Sequence, residues 1–351
     1  MLKDILRKGY DEKPLDVNDV KQILMASQGE QQHEVFHLAR ELRERYFGNK
    51  IFSYGFVYYS THCRNKCNFC YYRRGNKEAP RYRKLKSDIV GIAWDLARSG
   101  VHLIDLTMGE DPYFLAYPEK LVDIVKEVYD VTKLPIMISP GVVEPQVLSS
   151  LKKAGAVWYA LYQETYDQEL FAKLRYRQSY NKRLRLKKIA KDLGYLVEEG
   201  LMTGFGDTLG QRAESILSME SIHPSQVRTM TFVPQKGTPM EGKIINNNRN
   251  ELLMIAAMRL CYPDKLIPAS LDVEGLVGLK DRLNAGANVI TSLIPPEEGL
   301  AGVSQSKLDI NNGSRSLIQV LPMVEECGLR LGTQEEYQNF IYTEQQCMVT
   351  L

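Results

Sequence analysis

The chain has 351 residues, of which 44% are hydrophobic and 25% charged, and its formal net charge is +2. This composition can bury a full core, which excludes a disordered chain, and the small net charge excludes a protein that binds nucleic acid through a large basic surface. No apolar stretch approaches about 18 residues, and the N-terminus mixes both charge signs, so we expect a cytoplasmic protein without a membrane span or secretory signal.

Apolar runs suited to β-strands alternate with amphipathic helical stretches from residue 51 onward. The eight runs are 55–60, 102–107, 135–139, 157–163, 201–205, 227–233, 265–270 and 288–292, and the clearest helical stretches are 87–99, 118–131, 144–154, 181–199 and 250–261. Regular alternation of strand and helix is typical of a parallel sheet. Eight such units predict an α/β fold, a closed (β/α)8 TIM barrel, with an open doubly wound sheet as the alternative.

Residues 1–50 carry a helical pattern and precede the first strand, with no Ser-, Gly- or Pro-rich linker after them. We therefore predict an N-terminal helical extension over 1–50 that covers the bottom of the barrel, and a barrel domain with C-terminal helices over 51–351. The chemistry of such barrels is carried by loops at the C-terminal ends of the strands. Reactive residues should accordingly lie just after the predicted strands.

Three cysteines, Cys63, Cys67 and Cys70, lie in one short loop after the first predicted strand. Thiolates with this spacing can bind three irons of a [4Fe–4S] cluster, which leaves the fourth iron without a cysteine ligand. An open coordination position distinguishes a catalytic metal site from a structural one. A zinc site completed by His62 is the alternative, although adjacent His62 and Cys63 would strain a shared tetrahedron. The other three cysteines are scattered late in the chain.

A second metal motif lies in the N-terminal extension, where His33 and His37 form the ends of an H-E-x-x-H sequence. Two histidines four residues apart on a helix can bind zinc in metalloproteases. The other histidines have no spacing that would supply a third ligand, and the motif precedes the first strand. We therefore interpret it as an ordinary turn of an amphipathic helix.

The cysteine loop resembles that of the radical S-adenosylmethionine (SAM) superfamily, in which C-x3-C-x-aromatic-C follows the first strand of a β/α barrel. Phe69 occupies the aromatic position. The resemblance implies that SAM chelates the open iron through its amino and carboxylate groups, and that Phe69 lies near its adenine. Similarity to the biotin synthase and hydrogenase-maturase branch covers nearly the whole chain beyond the N-terminal extension.

This resemblance also implies four further contacts to SAM. Glu110, in Met108-Gly109-Glu110, matches the element that holds the SAM amino group, and Gly109 would let the backbone approach the ligand closely. Glu164 would bind the SAM hydroxyls or amine, and Arg183 would pair with the carboxylate. Ser139, at the end of the third strand, is a further candidate.

Within this branch the sequence resembles the methylornithine synthases of pyrrolysine biosynthesis, which isomerise L-lysine to (3R)-3-methyl-D-ornithine by way of a 5′-deoxyadenosyl radical. The substrate-binding positions of that family match here as Asp105, Arg228, Ser270 and Asp272. All four lie at or near the ends of the second, sixth and seventh strands. The resemblance implies no catalytic side chain beyond the cofactors, and a one-electron reductant such as flavodoxin or ferredoxin as partner.

Several alternatives stay open from the residues alone. Asp105 and Asp272 could be turn or helix-capping aspartates, which are common between strands and helices. A sulfur-inserting enzyme like biotin synthase would need a second cluster with more cysteines on inner strands. A maturase-like radical SAM enzyme and a zinc-binding interaction module are the other candidates.

Overall fold

The computed structural model describes residues 2–244, 248–304 and 315–349. Its strands are β1 (Lys50–Ser60), β2 (Leu103–Met108), β3 (Ile136–Ser139), β4 (Ala156–Ala160), β5 (Leu196–Thr203), β6 (Gln226–Thr231), β7 (Pro268–Ser270), β8 (Val289–Leu293) and β9 (Arg330–Leu331). Its helices are α1 (Leu2–Tyr10), α2 (Val17–Leu24), α3 (Glu30–Phe47), α4 (Lys86–Ser99), α5 (Pro112–Ala116), α6 (Pro118–Thr132), α7 (Pro145–Lys153), α8 (Gln168–Leu174), α9 (Tyr180–Asp192), α10 (Leu209–Ser218), α11 (Arg249–Cys261), α12 (Leu279–Asn284), α13 (Leu317–Glu326) and α14 (Gln334–Val349).

The first eight strands form a parallel sheet in the order β6-β5-β4-β3-β2-β1-β8-β7, and β9 pairs with the start of β1. The two outermost strands, β6 and β7, are joined only near their beginnings, by a parallel bridge between Gln226 and Leu266. The sheet therefore curls into a nearly closed barrel that has a seam between β6 and β7. The predicted (β/α)8 architecture and all eight predicted strands are confirmed.

Several predicted strands begin or end a few residues away from the observed ones, and the error with the most consequence concerns the fifth strand. The stretch 181–199 was predicted to be helical throughout, but α9 ends at Asp192, and Gly194 adopts the left-handed φ of 81° that terminates the turn. Glu198 and Glu199 consequently lie in the middle of β5, where both are fully buried. Two adjacent acidic residues usually lie at a solvent-exposed helix end. For this reason the sequence pattern wrongly predicted a helix here.

The N-terminal end of the barrel is covered from two sides. On α3, Arg43 donates to the carbonyl oxygens of Leu283 and Ala287, just before β8. At the start of α14, Gln334 donates to the carbonyl of Val101, just before β2. The cover predicted for residues 1–50 is therefore shared with the C-terminal helix, while the domain boundary after residue 50 stays a prediction.

The histidine pair of the N-terminal extension lies outside the barrel mouth. His33 and His37 lie on α3 with their ring centroids 6.5 Å apart. Among the helices in the described ranges, none combines the length and the apolar character that crossing a membrane would require.

Candidate active site

A cavity lies among the C-terminal ends of the strands, the face that carries chemistry in this fold. Ten of the twelve residues predicted to bind the cluster, SAM or substrate line it, namely Cys63, Cys67, Phe69, Cys70, Glu110, Ser139, Glu164, Arg183, Arg228 and Asp272. The other two, Asp105 on β2 and Ser270 on β7, are buried but do not line it. Residues separated by two hundred positions thus meet because parallel strands all end at one face.

The cysteine loop between β1 and α4 has little regular structure, so its backbone groups need partners outside helices and sheets. The backbone N–H of Asn68 donates to the carbonyl of Leu174 at 2.8 Å, and its side chain donates to the carbonyl of Lys173 at 2.6 Å. These bonds fasten the loop to the end of α8. The Arg81 guanidinium donates to the carbonyl oxygens of Thr61, Tyr72, Arg73 and Asn76.

Gly109 sits where β2 ends against this loop. A Cβ atom at this position would lie 2.3 Å from the carbonyl oxygen of His62 and 2.9 Å from the Cβ of Cys63. The backbone at Gly109 does approach a neighbour closely, as predicted. The neighbour in the structure is the cysteine loop, whereas the prediction concerned the ligand. A side chain here would displace the cysteines.

The residues predicted to bind SAM form a buried group of alternating charge. The Arg64 Nε is 3.0 Å from Glu110 Oε2, and the Arg183 Nη1 is 3.7 Å from Glu110 Oε1. Arg183 also donates from Nη2 to the carbonyl of Tyr162 at 2.6 Å, while its Nε has no partner. Burial lowers the pKa of Arg183 to about 10, which still leaves it charged at neutral pH. An unpartnered donor on a buried cation suits an incoming carboxylate.

Glu164 lies just beyond β4 in an uncommon backbone conformation. Its φ is 69°, a region that residues other than glycine rarely adopt and that tends to occur at functional sites. Its backbone is held by β5, since its N–H donates to Gly200 and its carbonyl accepts from Met202, both at 2.9 Å. Its carboxylate pairs with Arg175, whose Nη1 is also 3.8 Å from Cys67 Sγ.

The first of two charged groups predicted for the substrate centres on Arg228 of β6. Its Nε donates to Glu198 Oε1 at 2.7 Å, and Tyr162 donates to the other oxygen of Glu198 at 2.7 Å. Burial alone would lower the pKa of Arg228, but the charge of Glu198 raises it instead. The Nη2 of Arg228 is buried without a partner, so one edge of the guanidinium is left to bind another anion.

The second group centres on Asp272, just after β7. Its carboxylate accepts from Arg315 Nη1 at 2.8 Å, from Ser292 Oγ at 2.9 Å and from Tyr58 at 3.0 Å. Ser270, predicted as a hydroxyl for the substrate, accepts from the backbone N–H of Asp272 at 3.3 Å. Asp272 is therefore held from several sides, and Ser270 helps to position it.

Asp105 is a buried carboxyl with only half of its hydrogen-bonding capacity used. Its Oδ1 accepts from Thr107 Oγ1 at 2.7 Å, whereas Oδ2 has no partner. Burial raises the pKa of Asp105 to about 7. The turn or capping interpretation is wrong for this residue, because it lies within β2 and caps no helix.

The comparisons with known proteins agree with this arrangement. The profile of the Radical SAM superfamily matches residues 57–218. The chain is 42% identical to the 3-methylornithine synthase of Methanosarcina acetivorans over 327 residues, which cover 93% of each chain. The chain belongs to the radical SAM superfamily, in the family of the 3-methylornithine synthases. A solved structure of a methylornithine synthase matches with a TM-score of 0.91 and 40% identity, covering 96% of this chain and 99% of the other.

A more distant relative is the [FeFe] hydrogenase maturase subunit HydE of Thermotoga maritima, which is 33% identical over 73% of this chain and 74% of its own. Membership of the radical SAM superfamily implies a [4Fe–4S] cluster and SAM as cofactors. Both expectations can be compared with the residues around the cavity.

The three cysteines fit an iron–sulfur cluster better than a single metal ion. Within the described ranges, no three His, Cys, Asp or Glu side chains converge as ligands of one ion. A [4Fe–4S] cluster has a different requirement, because each thiolate binds a separate iron. Cys63, Cys67 and Cys70 all line the cavity, which is compatible with this requirement.

The remaining cysteines also bear on the choice among radical SAM activities. Cys261 ends α11, Cys327 follows α13 and Cys347 lies on α14. A sacrificial second cluster, as in a sulfur-inserting enzyme, would need cysteines on the inner strands. These positions do not favour that alternative.

Sequence analysis missed several residues that shape the site. Glu198 was assigned to a helix end, and Arg175 was not among the predicted site residues. Lys187 on α9 pairs with Glu199, and Tyr166 donates to the same carboxylate at 2.9 Å. The two adjacent acids are followed by Gly-Leu-Met, and α9 and β6 carry basic residues that could pair with buried carboxylates. Considered together, these features would have indicated a strand rather than a helix end.

Proposed function

We propose that this protein is a radical SAM isomerase that converts L-lysine to (3R)-3-methyl-D-ornithine. The carrying observation is that two buried charged groups, centred on Arg228 and Asp272, line the same cavity as the three cysteines. Lysine has a carboxylate and an ammonium group attached to its α-carbon, and a second ammonium group at the far end of its side chain. A site for it needs a cation and at least two anionic or neutral acceptors.

The unpartnered Nη2 of Arg228 supports binding of the lysine carboxylate. Glu198 accepts a hydrogen bond from the Nε of this guanidinium. The ion pair therefore orients the guanidinium before a ligand binds. The carboxylates of Asp272 and Asp105 are the candidates for the two ammonium groups. Asp105 would lose its proton when an ammonium arrives, since burial raises its pKa and a positive charge beside it lowers that pKa again.

Cys63, Cys67 and Cys70 would hold the cluster, and Glu110, Glu164 and Arg183 would hold SAM, with Phe69 beside the adenine and Ser139 nearby. When bound, these cofactors supply hydrogen-atom abstraction from an unactivated carbon, driven by one electron from a donor such as flavodoxin or ferredoxin. The ion pairs that Glu110, Glu164 and Arg183 make with protein residues keep these side chains oriented before SAM binds.

Converting the straight chain of lysine to a branched skeleton requires a carbon–carbon bond to break and re-form. The parts of the substrate must therefore be kept together. The buried pairs Arg228–Glu198 and Asp272–Arg315 anchor opposite charges from β6 and from the end of β7, on the two sides of the seam. Such fixed anchors would hold charged fragments in place.

The test is anaerobic incubation of cluster-loaded enzyme with SAM, dithionite and L-lysine, followed by mass spectrometry and chiral chromatography. We expect a compound with the mass of lysine that co-elutes with (3R)-3-methyl-D-ornithine. The Asp272→Asn variant should keep its cluster and its SAM affinity but form little product. SAM cleavage that is equal with and without lysine, with no lysine isomer formed, would contradict the proposal.

A further inference from the structure

Gln178 connects the cysteine loop to the SAM side of the cavity, and neither the sequence motifs nor the roles described above include it. It lies in the turn between α8 and α9, where its backbone N–H donates to the carbonyl of Arg175 at 2.9 Å. The preceding residue, Arg177, has a left-handed φ of 60°. This turn directs the Gln178 side chain toward the cysteine loop rather than along α9.

The Gln178 amide contacts two groups of opposite character. Its Nε2 lies 2.9 Å from Cys67 Sγ, and its Oε1 accepts from Arg183 Nη1 at 3.3 Å. The amide orientation follows from these partners, because a reversed amide would place its oxygen against sulfur and its N–H groups against a guanidinium. Gln178 therefore donates to the predicted cluster ligand and accepts from the predicted SAM-binding cation.

We propose that Gln178 is a positioning residue that raises the reduction potential of the cluster by donating an N–H to the Cys67 thiolate. Added negative charge on a reduced cluster is shared by its sulfurs, so a donor at a ligand sulfur stabilises the reduced state more than the oxidised state. The bond from Arg183 to the amide oxygen polarises the amide and strengthens the same donor. This inference rests on the proposed function only in taking Cys67 as a cluster ligand.

Among the described residues, Cys67 carries the ligand sulfur on which two side-chain donors converge. Cys67 Sγ faces two side-chain donors, Gln178 at 2.9 Å and the Arg175 guanidinium at 3.8 Å. Cys63 Sγ accepts from the backbone N–H of Asn65 at 3.4 Å, which no side-chain substitution removes. Gln178 is uncharged, so a substitution can remove this donor to a ligand sulfur without also removing a charge.

The experiment is a redox titration of the cluster, followed by electron paramagnetic resonance, in anaerobically reconstituted wild type and two variants. Gln178→Met removes the donor and keeps an unbranched side chain of similar length. Gln178→Glu replaces the donor with an oxygen and keeps the acceptor for Arg183. We expect about a tenfold loss in the equilibrium constant for reduction in the first variant, which is about 59 mV for one electron, and a larger loss in the second.

Gln211→Met is the matched control, because it removes a side-chain amide whose two partners lie outside the cysteine loop: the amide donates to Asp167 and accepts from Thr208. Its potential should equal that of wild type. Equal potentials in wild type and both Gln178 variants, all with full iron content, would overturn this inference and leave the proposed function standing. Failure of only the Gln178 variants to hold a cluster would also overturn it, since the residue would then support the loop. A wild type that binds no cluster would instead refute the proposed function itself.

Discussion

Replacing Asp105 with asparagine tests whether this carboxyl is partly protonated at neutral pH before substrate binds. The side chain is fully buried, one of its oxygens has no partner, and burial raises its pKa from the ordinary 3.8 to about 7. Because the folded-state pKa lies above the unfolded one, the protonated carboxyl favours the folded protein. That contribution is complete below pH 3.8 and is lost as the pH rises through about 7.

The structure sets the size of the effect. At about 1.36 kcal/mol for each tenfold change in proton affinity, the difference between 3.8 and about 7 corresponds to about 4 kcal/mol. An asparagine can accept from Thr107 as the carboxyl does, but it never becomes charged. Above pH 7 the Asp105→Asn variant should therefore be more stable than wild type by up to about 4 kcal/mol, with a smaller difference at pH 5.

The assay is urea unfolding of both apoproteins, without oxygen, at intervals from pH 5 to 8.5. The other titrating groups are shared by the two proteins, so the difference in the free energy of unfolding reports Asp105. Lysine should raise the unfolding midpoint of wild type more than that of the variant, because only a carboxylate can pair with an ammonium. A variant that is less stable than wild type at pH 8 would refute the reasoning.

Three further predictions concern the cofactors and the substrate. Cys63→Ala should lose the cluster while Cys261→Ala keeps it, and iron content that falls only in the second would contradict the assignment. Arg228→Ala should lower kcat/KM for lysine at least about a hundredfold, because it leaves Glu198 buried without its cation, a loss of about 3–5 kcal/mol. Arg183→Lys should weaken SAM binding about tenfold in equilibrium dialysis, since an ammonium loses the guanidinium fork; unchanged affinity would exclude Arg183 as the carboxylate partner.

The sequence was sufficient for those parts of the site that depend on the ends of strands. In a parallel barrel every strand ends at the same face, so locating β2, β6 and β7 already places Asp105, Arg228 and Asp272 together. The cysteine spacing is local and needs no fold to be recognised. These two kinds of information account for the agreement between prediction and structure around the cavity.

The parts that escaped prediction depend on pairing across the barrel. Glu198 and Arg228 are on neighbouring strands, and their partnership is visible only when β5 and β6 are in register, where Glu198 pairs with Gln226 and Gly200 with Arg228. Gln178 carries no charge and lies in a turn, so nothing in its local pattern distinguishes it. Buried ion pairs and turn-directed side chains are set by tertiary contacts, which local periodicity does not contain.

We expect one cavity to bind an amino acid with charges at both ends and to change its carbon skeleton. The most direct measurement compares L-lysine with L-norleucine, which lacks the terminal ammonium, in parallel anaerobic reactions with SAM and dithionite. We expect a lysine isomer identified as (3R)-3-methyl-D-ornithine and no rearranged norleucine. Rearrangement of both amino acids at similar rates, or of neither by cluster-loaded enzyme that cleaves SAM, would contradict it.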